Sequence, residues 1–212
     1  MKRGASEQYC LSDEQLRDMV REASGKQERL IVQLMGYLGM RVSEVVHMKG
    51  HWIRQEEIHI PEVEQCSCMA CGKRVSTATG ERQARLERKP GYWYAKSKRS
   101  ARSLPIPAFM ASNLYDYFTS NPRGFNCSRI AIWQKVKKIS RDAGIKQPGL
   151  SRNTIFPHTL RATAATRFAA SLEIAELMAI MGWSNMSVAA HYINLARITP
   201  GAKKKAKDIL GG

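Results

Sequence analysis

The sequence predicts an α+β domain that is mainly helical and carries one small antiparallel sheet. Two observations indicate this fold class. Segments with apolar residues three and four positions apart lie toward both ends of the 212-residue chain, as amphipathic helices require. Between them, apolar and polar residues alternate over short stretches, which is typical of half-buried strands. With 43% hydrophobic residues the chain can bury a core, and we interpret residues 1–212 as a single domain.

Three helices are predicted before the sheet. Ser12 followed by Gln15 matches a capping box that opens the helix SDEQLRDMVREAS. A second helix carries one apolar stripe and is expected to end at Gly39. The short helix VSEVVHM follows and ends before Gly50. The stripe of the second helix consists of Leu30, Ile31, Leu34, Met35 and Leu38.

The middle of the chain predicts strands. EEIHIP alternates and stops at a proline, and GYWYA and ARSLPIP have similar patterns. Residues 62–91 lie between the first and second of these strands and are polar, basic and rich in cysteine. We interpret them as an insertion in the sheet, largely irregular and tied by a metal ion.

The second half of the chain returns to helical patterns. Several of these segments end at Gly or meet Pro, as helix ends commonly do. Residues 197–212 form a basic tail whose GAKKKAKDIL segment is expected to be helical when docked. The predicted helices are FMASNLYDYFTS, SRIAIWQKVKKISRDAG, TLRATAATRFAAS, IAELMAIMG and SVAAHYINLA.

The charge of the chain is strongly positive. Thirty-four Lys and Arg against 18 Asp and Glu give a net charge of +16 and a pI near 9.9. Such a field attracts polyanions, and nucleic acid is the first candidate partner, although a ribosome-associated or merely basic protein would share it. Residues 72–102 hold ten Lys and Arg but only two acidic residues. Without a secretory signal or a long apolar run, we expect a cytosolic protein that does not enter a membrane.

Three of the five cysteines are clustered. Cys66, Cys68 and Cys71 have the spacing C-x-C-x₂-C, and thiolates this close together suit a tetrahedral Zn²⁺. The candidates for a fourth ligand are His59, Cys10, Cys127, a carboxylate or water. The alternative is three free thiols on a loop.

Four separated polar groups could act together on one phosphodiester. The guanidinium groups of Arg41 and Arg161 could clamp a phosphate and stabilise charge in a transition state. The phenol of Tyr192 could attack phosphorus, provided that a base or a cation helps it to lose its proton. Lys96 could protonate the departing 5′ oxygen. No metal ion and no nucleotide is needed for this reaction.

Two further side chains complete the candidate site. His158 in HTLR and the indole N–H of Trp183 could donate to a non-bridging oxygen of the phosphate. Each residue also has an ordinary structural explanation: Arg41 at a helix start, His158 as a helix cap, Lys96 as one phosphate contact among several, and Trp183 in the core. Their combination in this order is what favours catalysis.

The chain resembles the catalytic domain of the tyrosine recombinases, also called the phage integrase family, over residues 9–196. LGMRVSEV resembles the box that holds the first catalytic arginine, which places that role on Arg41. HTLRATAATRFA resembles the His-x-x-Arg box, and MGWSNMSVAAHY resembles the segment that ends in the nucleophile. KSKRSARSLP resembles the hairpin that carries the catalytic lysine, with Lys98 as the second choice after Lys96.

This resemblance implies a site-specific DNA recombinase that forms a 3′-phosphotyrosyl intermediate on double-stranded DNA without a catalytic cofactor. It also implies a homo-oligomer on DNA, a tetramer in the synapse. The sequence departs from the family at Trp183, where most members have His and some have Trp. Arg41 also lies only 40 residues after the start of the sequence, so we expect no preceding core-binding domain. A partner or the basic insertion would then supply the DNA contacts that such a domain makes. The cysteine cluster resembles that of some archaeal members.

Two other functions are compatible with the same fold. A non-catalytic DNA-binding accessory or regulatory factor would need the basic surface but would not need a phenol at residue 192. A type IB topoisomerase would share the cleavage chemistry. Trapping of a covalent protein–DNA complex separates the first alternative from a recombinase.

Overall fold

The structure is a computed structural model that describes residues 10–72, 90–145 and 155–198. In this part of the chain three helices come first, the strands of two small antiparallel sheets follow with one short helix among them, and five helices come last. The helices are α1 (Asp13–Glu22), α2 (Lys26–Gly36), α3 (Val42–His47), α4 (Met69–Gly72), α5 (Ala108–Ser120), α6 (Arg129–Asp142), α7 (Pro157–Ala169), α8 (Ile174–Met181) and α9 (Met186–Ile193). The strands are β1 (Ile53–Arg54), β2 (Glu57–Ile60), β3 (Val63–Gln65), β4 (Tyr92–Tyr94) and β5 (Arg102–Pro105).

The first two helices follow the predicted pattern, with one shift. The Ser12 side chain accepts from the Gln15 backbone N–H at 3.1 Å and the Gln15 side chain accepts from the Ser12 backbone N–H at 3.0 Å, which confirms the capping box. Helix α2 ends at Gly36 rather than at Gly39. Gly39 instead lies in the following turn with a φ of +66°, a left-handed conformation that favours glycine.

The mainly helical α+β fold with small antiparallel pairing is confirmed, although the strands form two sheets where one was predicted. One sheet has the order β1-β2-β5, with Ile58 opposite Leu104. In the other, β3 pairs with β4, so that Glu64 lies opposite Trp93. Strand β3 and helix α4 lie within the predicted irregular insertion of residues 62–91, whose residues 73–89 lie outside the described part of the chain. The start of that segment is therefore ordered structure and not irregular loop.

Helix α7 lies at the centre of the second half of the domain. It packs against α2, α8 and α9. Its buried faces are lined largely by small residues, which allow neighbouring helices to approach closely, namely Ala162, Ala164, Ala165 and Ala169. Arg161 of α7 donates to the carbonyl oxygens of Gly39, shortly before α3, and of Met181, at the end of α8.

The C-terminal end of the described chain is helical. Helix α9 continues into a π-helical segment, Asn194–Ile198, and Arg197 in that segment donates to the carbonyl oxygens of Ala170 and Leu172 at 3.0 and 2.6 Å. Most of the predicted basic tail, residues 199–212, lies outside the described residues. Across the described segments, none of the helices has the length and apolar character needed to cross a bilayer.

Candidate active site

The site is organised by the C-terminal end of helix α8. Gly182 follows the helix with φ +59° and ψ +47°. The N–H of Trp183 donates to the Met178 carbonyl at 2.9 Å and the N–H of Gly182 donates to the Ala179 carbonyl at 3.2 Å, a Schellman motif. This leaves the carbonyl groups that follow without a backbone donor, at the negative end of the helix dipole.

Three arginines donate to these three successive carbonyl groups. Arg102 Nε donates to Ile180 at 2.6 Å, Arg161 Nη2 to Met181 at 2.5 Å, and Arg41 Nη2 to Gly182 at 2.9 Å. The three side chains come from β5, α7 and the N-cap position of α3. Elements that are distant in sequence therefore converge on one helix end, and two of the predicted site residues, Arg41 and Arg161, are brought together there.

Glu44 is the anion that holds this arginine cluster. Its side chain is 1% exposed, and it accepts from Arg102 with both carboxylate oxygens, at 3.1 and 3.0 Å, and from Arg41 Nη1 at 2.8 Å. Burial raises the pKa of the Glu44 carboxyl group, but Arg102, Arg161 and Arg41 outweigh burial and lower that pKa to about 2. Glu44 is therefore ionised at neutral pH and neutralises one of three guanidinium charges.

Arg161 is a buried cation. It is 6% exposed, and it also donates to the carbonyl oxygen of Gly39. Burial and then the charge of Arg41 lower the pKa of Arg161, whereas Glu44 raises it, Arg102 lowers it, and Tyr192 raises it. A cation that has lost hydration and faces two like charges is stabilised by an incoming anion such as phosphate.

The Trp183 indole ring lies close to both Tyr192 and Arg161. The rings of Trp183 and Tyr192 stack with centroids 5.2 Å apart, and the Arg161 guanidinium carbon lies 6.0 Å from the Trp183 ring centroid. Asn185 begins α9 by accepting from the Ser187 backbone N–H at 2.9 Å. From that start the helix turns Tyr192 inward, where it is 3% exposed.

The loop that contains Lys96 packs against the same helix end. Lys96 is exposed and follows β4 by two residues. After it, the backbone of Arg99 and Ser100 passes so close to Gly182 that a Cβ there would lie 3.1 Å from the Arg99 carbonyl oxygen and 3.0 Å from the Ser100 Cα. The structure thus brings the Lys96 loop to the arginine cluster.

His158 is exposed, unlike Arg161 three residues later. It lies in the first turn of α7, directly after Pro157, which begins the helix. The sequence alone left open that the two residues simply share a helix face, but their burial differs. His158 is therefore available from solvent at the end of the helix that carries Arg161.

A sequence model described as the phage integrase family matches residues 10–197, which include the whole arginine cluster and Tyr192. The chain belongs to the phage integrase family. Its described helices and sheets have the fold of the catalytic domain of that family.

Curated relatives and solved structures of integrase-family proteins agree with this assignment. The chain is 24% identical over 179 residues to tyrosine recombinase XerD of Pseudomonas putida, covering 83% of this chain and 52% of the relative. It is 25% identical to XerD of Ralstonia nicotianae, covering 82% of this chain and 50% of that protein. The chain thus spans about half the length of both relatives.

The fold resembles solved integrase-family structures at low sequence identity. XerA recombinase superposes with a TM-score of 0.62 at 16% identity, over 94% of this chain and 62% of that chain. The Tn1549 transposon integrase in complex with transposon right-end DNA gives 0.61 at 17% identity, over 97% and 67%. The catalytic domain of bacteriophage HP1 integrase gives 0.55 at 18% identity, over 92% and 93%.

A second cluster, of three cysteines and one histidine, lies apart from the arginine cluster. Ligand atoms of His47, Cys66, Cys68 and Cys71 all lie within 4.8 Å of one another, so these four side chains could hold a metal ion. His47 was not among the predicted fourth ligands. Burial, followed by the neighbouring sulfurs, raises the pKa of the Cys71 thiol to about 12.

The three residues predicted as a possible fourth ligand lie elsewhere. His59 Nδ1 is 2.7 Å from the Ser103 hydroxyl, and Cys10 Sγ is 3.2 Å from the Thr166 hydroxyl. Cys127 lies in the segment before α6, and burial, opposed by Lys135, raises the pKa of its thiol. None of the three belongs to the metal-ligand group found among the described residues.

Sequence reasoning also missed the roles of Glu44 and Arg102. In the sequence, Arg102 had no role distinct from those of the neighbouring Lys98 and Arg99, yet its side chain is only 5% exposed and pairs with Glu44. Its position in an alternating strand was the available indication of burial. Glu44 lies within the LGMRVSEV box, but nothing in the sequence indicated its partner 58 positions away.

Proposed function

We propose that this chain is a site-specific DNA recombinase that breaks and rejoins DNA strands through a 3′-phosphotyrosyl intermediate. One observation carries the proposal. Arg41 and Arg161 donate to adjacent carbonyl groups of the turn that leads to Trp183, and Trp183 stacks on Tyr192. Two phosphate-binding cations and a phenol are thereby linked through one short segment.

The chemistry assigns one role to each group. Tyr192 Oη attacks the phosphorus atom, a Tyr–O–P bond forms, and the bond from phosphorus to the 5′ oxygen breaks. The Tyr192 phenol passes its proton to water as it attacks, and Lys96 gives the departing 5′ oxygen a proton. A 5′ hydroxyl group of a second strand then returns a proton to Lys96 and attacks the phosphotyrosine. This attack forms the new phosphodiester and releases the Tyr192 oxygen, which regains a proton from water.

The remaining residues bind the phosphate. The contacts of the described residues use two of the five N–H donors of each of Arg41 and Arg161. Three donors on each are then available for the non-bridging oxygens, where negative charge builds in the transition state. We assign His158 and the Trp183 indole to the same oxygens.

Double-stranded DNA is the proposed substrate. The net charge of +16 supports this substrate, because Lys and Arg contacts to phosphates give affinity that does not depend on sequence. Among the similar structures, XerH recombinase is bound to its difH substrate and Tn1549 integrase to transposon DNA. We propose that protomers assemble on DNA, as a tetramer in the synapse.

A nicked suicide substrate tests the proposal. The cognate site is first selected from random duplexes by binding to the full chain, and a nick placed beside the cleavage position then lets the 5′-hydroxyl fragment escape. We expect a covalent protein–DNA band for the wild type and none for Tyr192→Phe, which keeps the stacked ring. A verified site that both proteins bind equally and that neither cleaves would establish the alternative, a non-catalytic DNA-binding factor.

A further inference from the structure

The cysteine and histidine cluster joins two separate elements of the fold. His47 is the last residue of α3, whereas Cys66 directly follows β3, and Cys68 and Cys71 lie at the turn that α4 forms. His47 Nε2 is 3.6 Å from Cys68 Sγ and 3.4 Å from Cys71 Sγ. Two of the sulfur atoms therefore lie within 3.6 Å of one imidazole nitrogen.

These separations suit a tetrahedral zinc ion. Zn–N and Zn–S bonds of about 2.0 and 2.3 Å, at a tetrahedral angle, place a ligand nitrogen about 3.5 Å from a ligand sulfur. The two measured distances, 3.4 and 3.6 Å, lie on either side of that value. All four ligand atoms also lie within 4.8 Å of one another, which completes a Cys₃His set.

The imidazole is oriented as a metal ligand requires. Its Nδ1 lies 2.7 Å from the Ser43 carbonyl oxygen, so this nitrogen donates its hydrogen and Nε2 presents a lone pair to the sulfurs. The Trp93 ring stacks on the imidazole with centroids 5.5 Å apart and limits its rotation. The backbone N–H of Cys68 also points to Cys66 Sγ, at 3.4 Å.

Backbone hydrogen bonds around the cluster extend the β3–β4 pairing beyond its Gln65–Tyr92 end. The Cys66 N–H donates to the Gly91 carbonyl at 2.7 Å, and the Gly91 N–H donates to the Cys71 carbonyl at 3.1 Å. Beyond the other end of the paired strands, the Ala95 N–H donates to the Glu62 carbonyl at 2.9 Å, immediately before Lys96. The hairpin thus runs from the cluster to the Lys96 loop.

We propose that His47, Cys66, Cys68 and Cys71 bind one structural Zn²⁺ that fastens the β3–β4 hairpin to helix α3. Because Arg41 is the N-cap of α3 and the hairpin leads to Lys96, the ion sets the distance between these two residues. The importance of this Arg41–Lys96 distance rests on the proposed recombinase function. The binding of zinc does not.

Metal content tests the site directly. The full chain, purified without chelator, is measured by mass spectrometry for zinc, and its thiols are titrated. We expect one zinc per chain in the wild type and a loss of most of it in His47→Gln and Cys68→Ser. Cys127→Ser, which removes a thiol outside the cluster, should keep the full zinc content.

Cobalt gives a readout of the ligand set. Co²⁺ loaded in place of zinc should show the d–d bands of a tetrahedral ion, with a thiolate charge-transfer band whose intensity per bound cobalt falls by about a third in Cys68→Ser. Removal of the metal should also change tryptophan fluorescence, because Trp93 stacks on His47, and this change should be smaller in Trp93→Phe. Metal-free wild type that also fails to bind Co²⁺ with its thiols reduced would overturn the proposal, as would a disulfide within the cluster.

The consequence for catalysis has its own experiment. In the suicide-substrate assay, His47→Gln should cleave at least about tenfold more slowly than Cys127→Ser while binding DNA within about threefold of it. Equal cleavage by a zinc-free variant would refute the link to Lys96 and leave zinc binding intact. Stoichiometric zinc in a wild type that never cleaves would contradict only the recombinase function.

Discussion

The indole ring of Trp183 lies nearly parallel to the phenol ring of Tyr192, with centroids 5.2 Å apart and planes inclined by 19°. Trp183 therefore has two separable properties, an aromatic face that packs on Tyr192 and an N–H that can donate to phosphate. Substitutions that keep one property and remove the other distinguish them.

We expect Trp183→Phe to lower the single-turnover cleavage rate about 100-fold, because the ring face stays but the N–H donor is lost. Trp183→His keeps a ring donor and should lose less than tenfold. Cleavage of the nicked substrate under single-turnover conditions measures both. If the phenylalanine variant cleaves as fast as the histidine variant, the indole acts only by packing.

Arg41→Lys should separate phosphate clamping from overall charge. Lysine keeps the positive charge but lacks the planar fork that reaches both Glu44 and Gly182. We expect cleavage to fall about 100-fold and DNA affinity at moderate salt to change less than about threefold. Arg21→Lys, on the exposed face of α1, is the matched control and should change neither.

Glu44 makes stability depend on pH in a defined range. Because the folded-state pKa of Glu44 is about 2 against an ordinary value of 4.5, its contribution is complete above about pH 4.5 and is lost as the pH falls toward 2. The shift corresponds to roughly 3 kcal/mol. The free energy of unfolding, measured with urea between pH 6 and pH 3, should therefore depend less on pH in Glu44→Gln than in the wild type.

The same variant should be much less stable at neutral pH. Glu44→Gln leaves Arg102 buried without its anion, which costs roughly 3–5 kcal/mol. A comparison variant is Glu64→Gln, whose side chain is 12% exposed and accepts from Lys49 and His51 away from the arginine cluster. An unfolding free energy for Glu44→Gln equal to that of Glu64→Gln would argue against the buried network as described.

Gly182→Ala and Gly144→Ala form a matched pair. Both glycines have a positive φ, +59° and +64°, so alanine is strained by a similar amount, about 1 kcal/mol, at either position. At Gly144 a Cβ meets nothing within 4 Å, whereas at Gly182 it meets the backbone of the Lys96 loop. We expect Gly182→Ala to lower the free energy of unfolding by a further amount of about 1–3 kcal/mol, the usual cost of overpacking. It should also cleave more slowly. Equal unfolding free energies would show that the loop yields freely.

Local patterns in the sequence predicted most of the helices. The Ser12 capping box and the three- and four-residue spacing of apolar residues depend on neighbours within one or two turns, so the sequence displays them directly. Strand pairing does not have this property. Val63–Gln65 is too short to show alternation, and its pairing with Tyr92–Tyr94 spans residues 66–91, which is why two sheets were predicted as one.

The candidate site was predictable to the extent that it resembles a family. Arg41, Lys96, His158, Arg161, Trp183 and Tyr192 were found through such boxes, and their catalytic roles remain predictions. His47 was missed because it reads as an ordinary helix residue and lies 19 positions before Cys66. The Arg102–Glu44 pair was missed because burial turns a surface-like charge into a structural one, and burial is a property of the whole fold.

The end of helix α8 holds Arg102, Arg161 and Arg41 through three consecutive peptide carbonyls. A displacement of that single turn would misalign every guanidinium at once and would carry the stacked phenol with it. Activity in this domain should consequently switch off as a unit when the turn moves, without passing through states in which one cation is lost and the others stay in register.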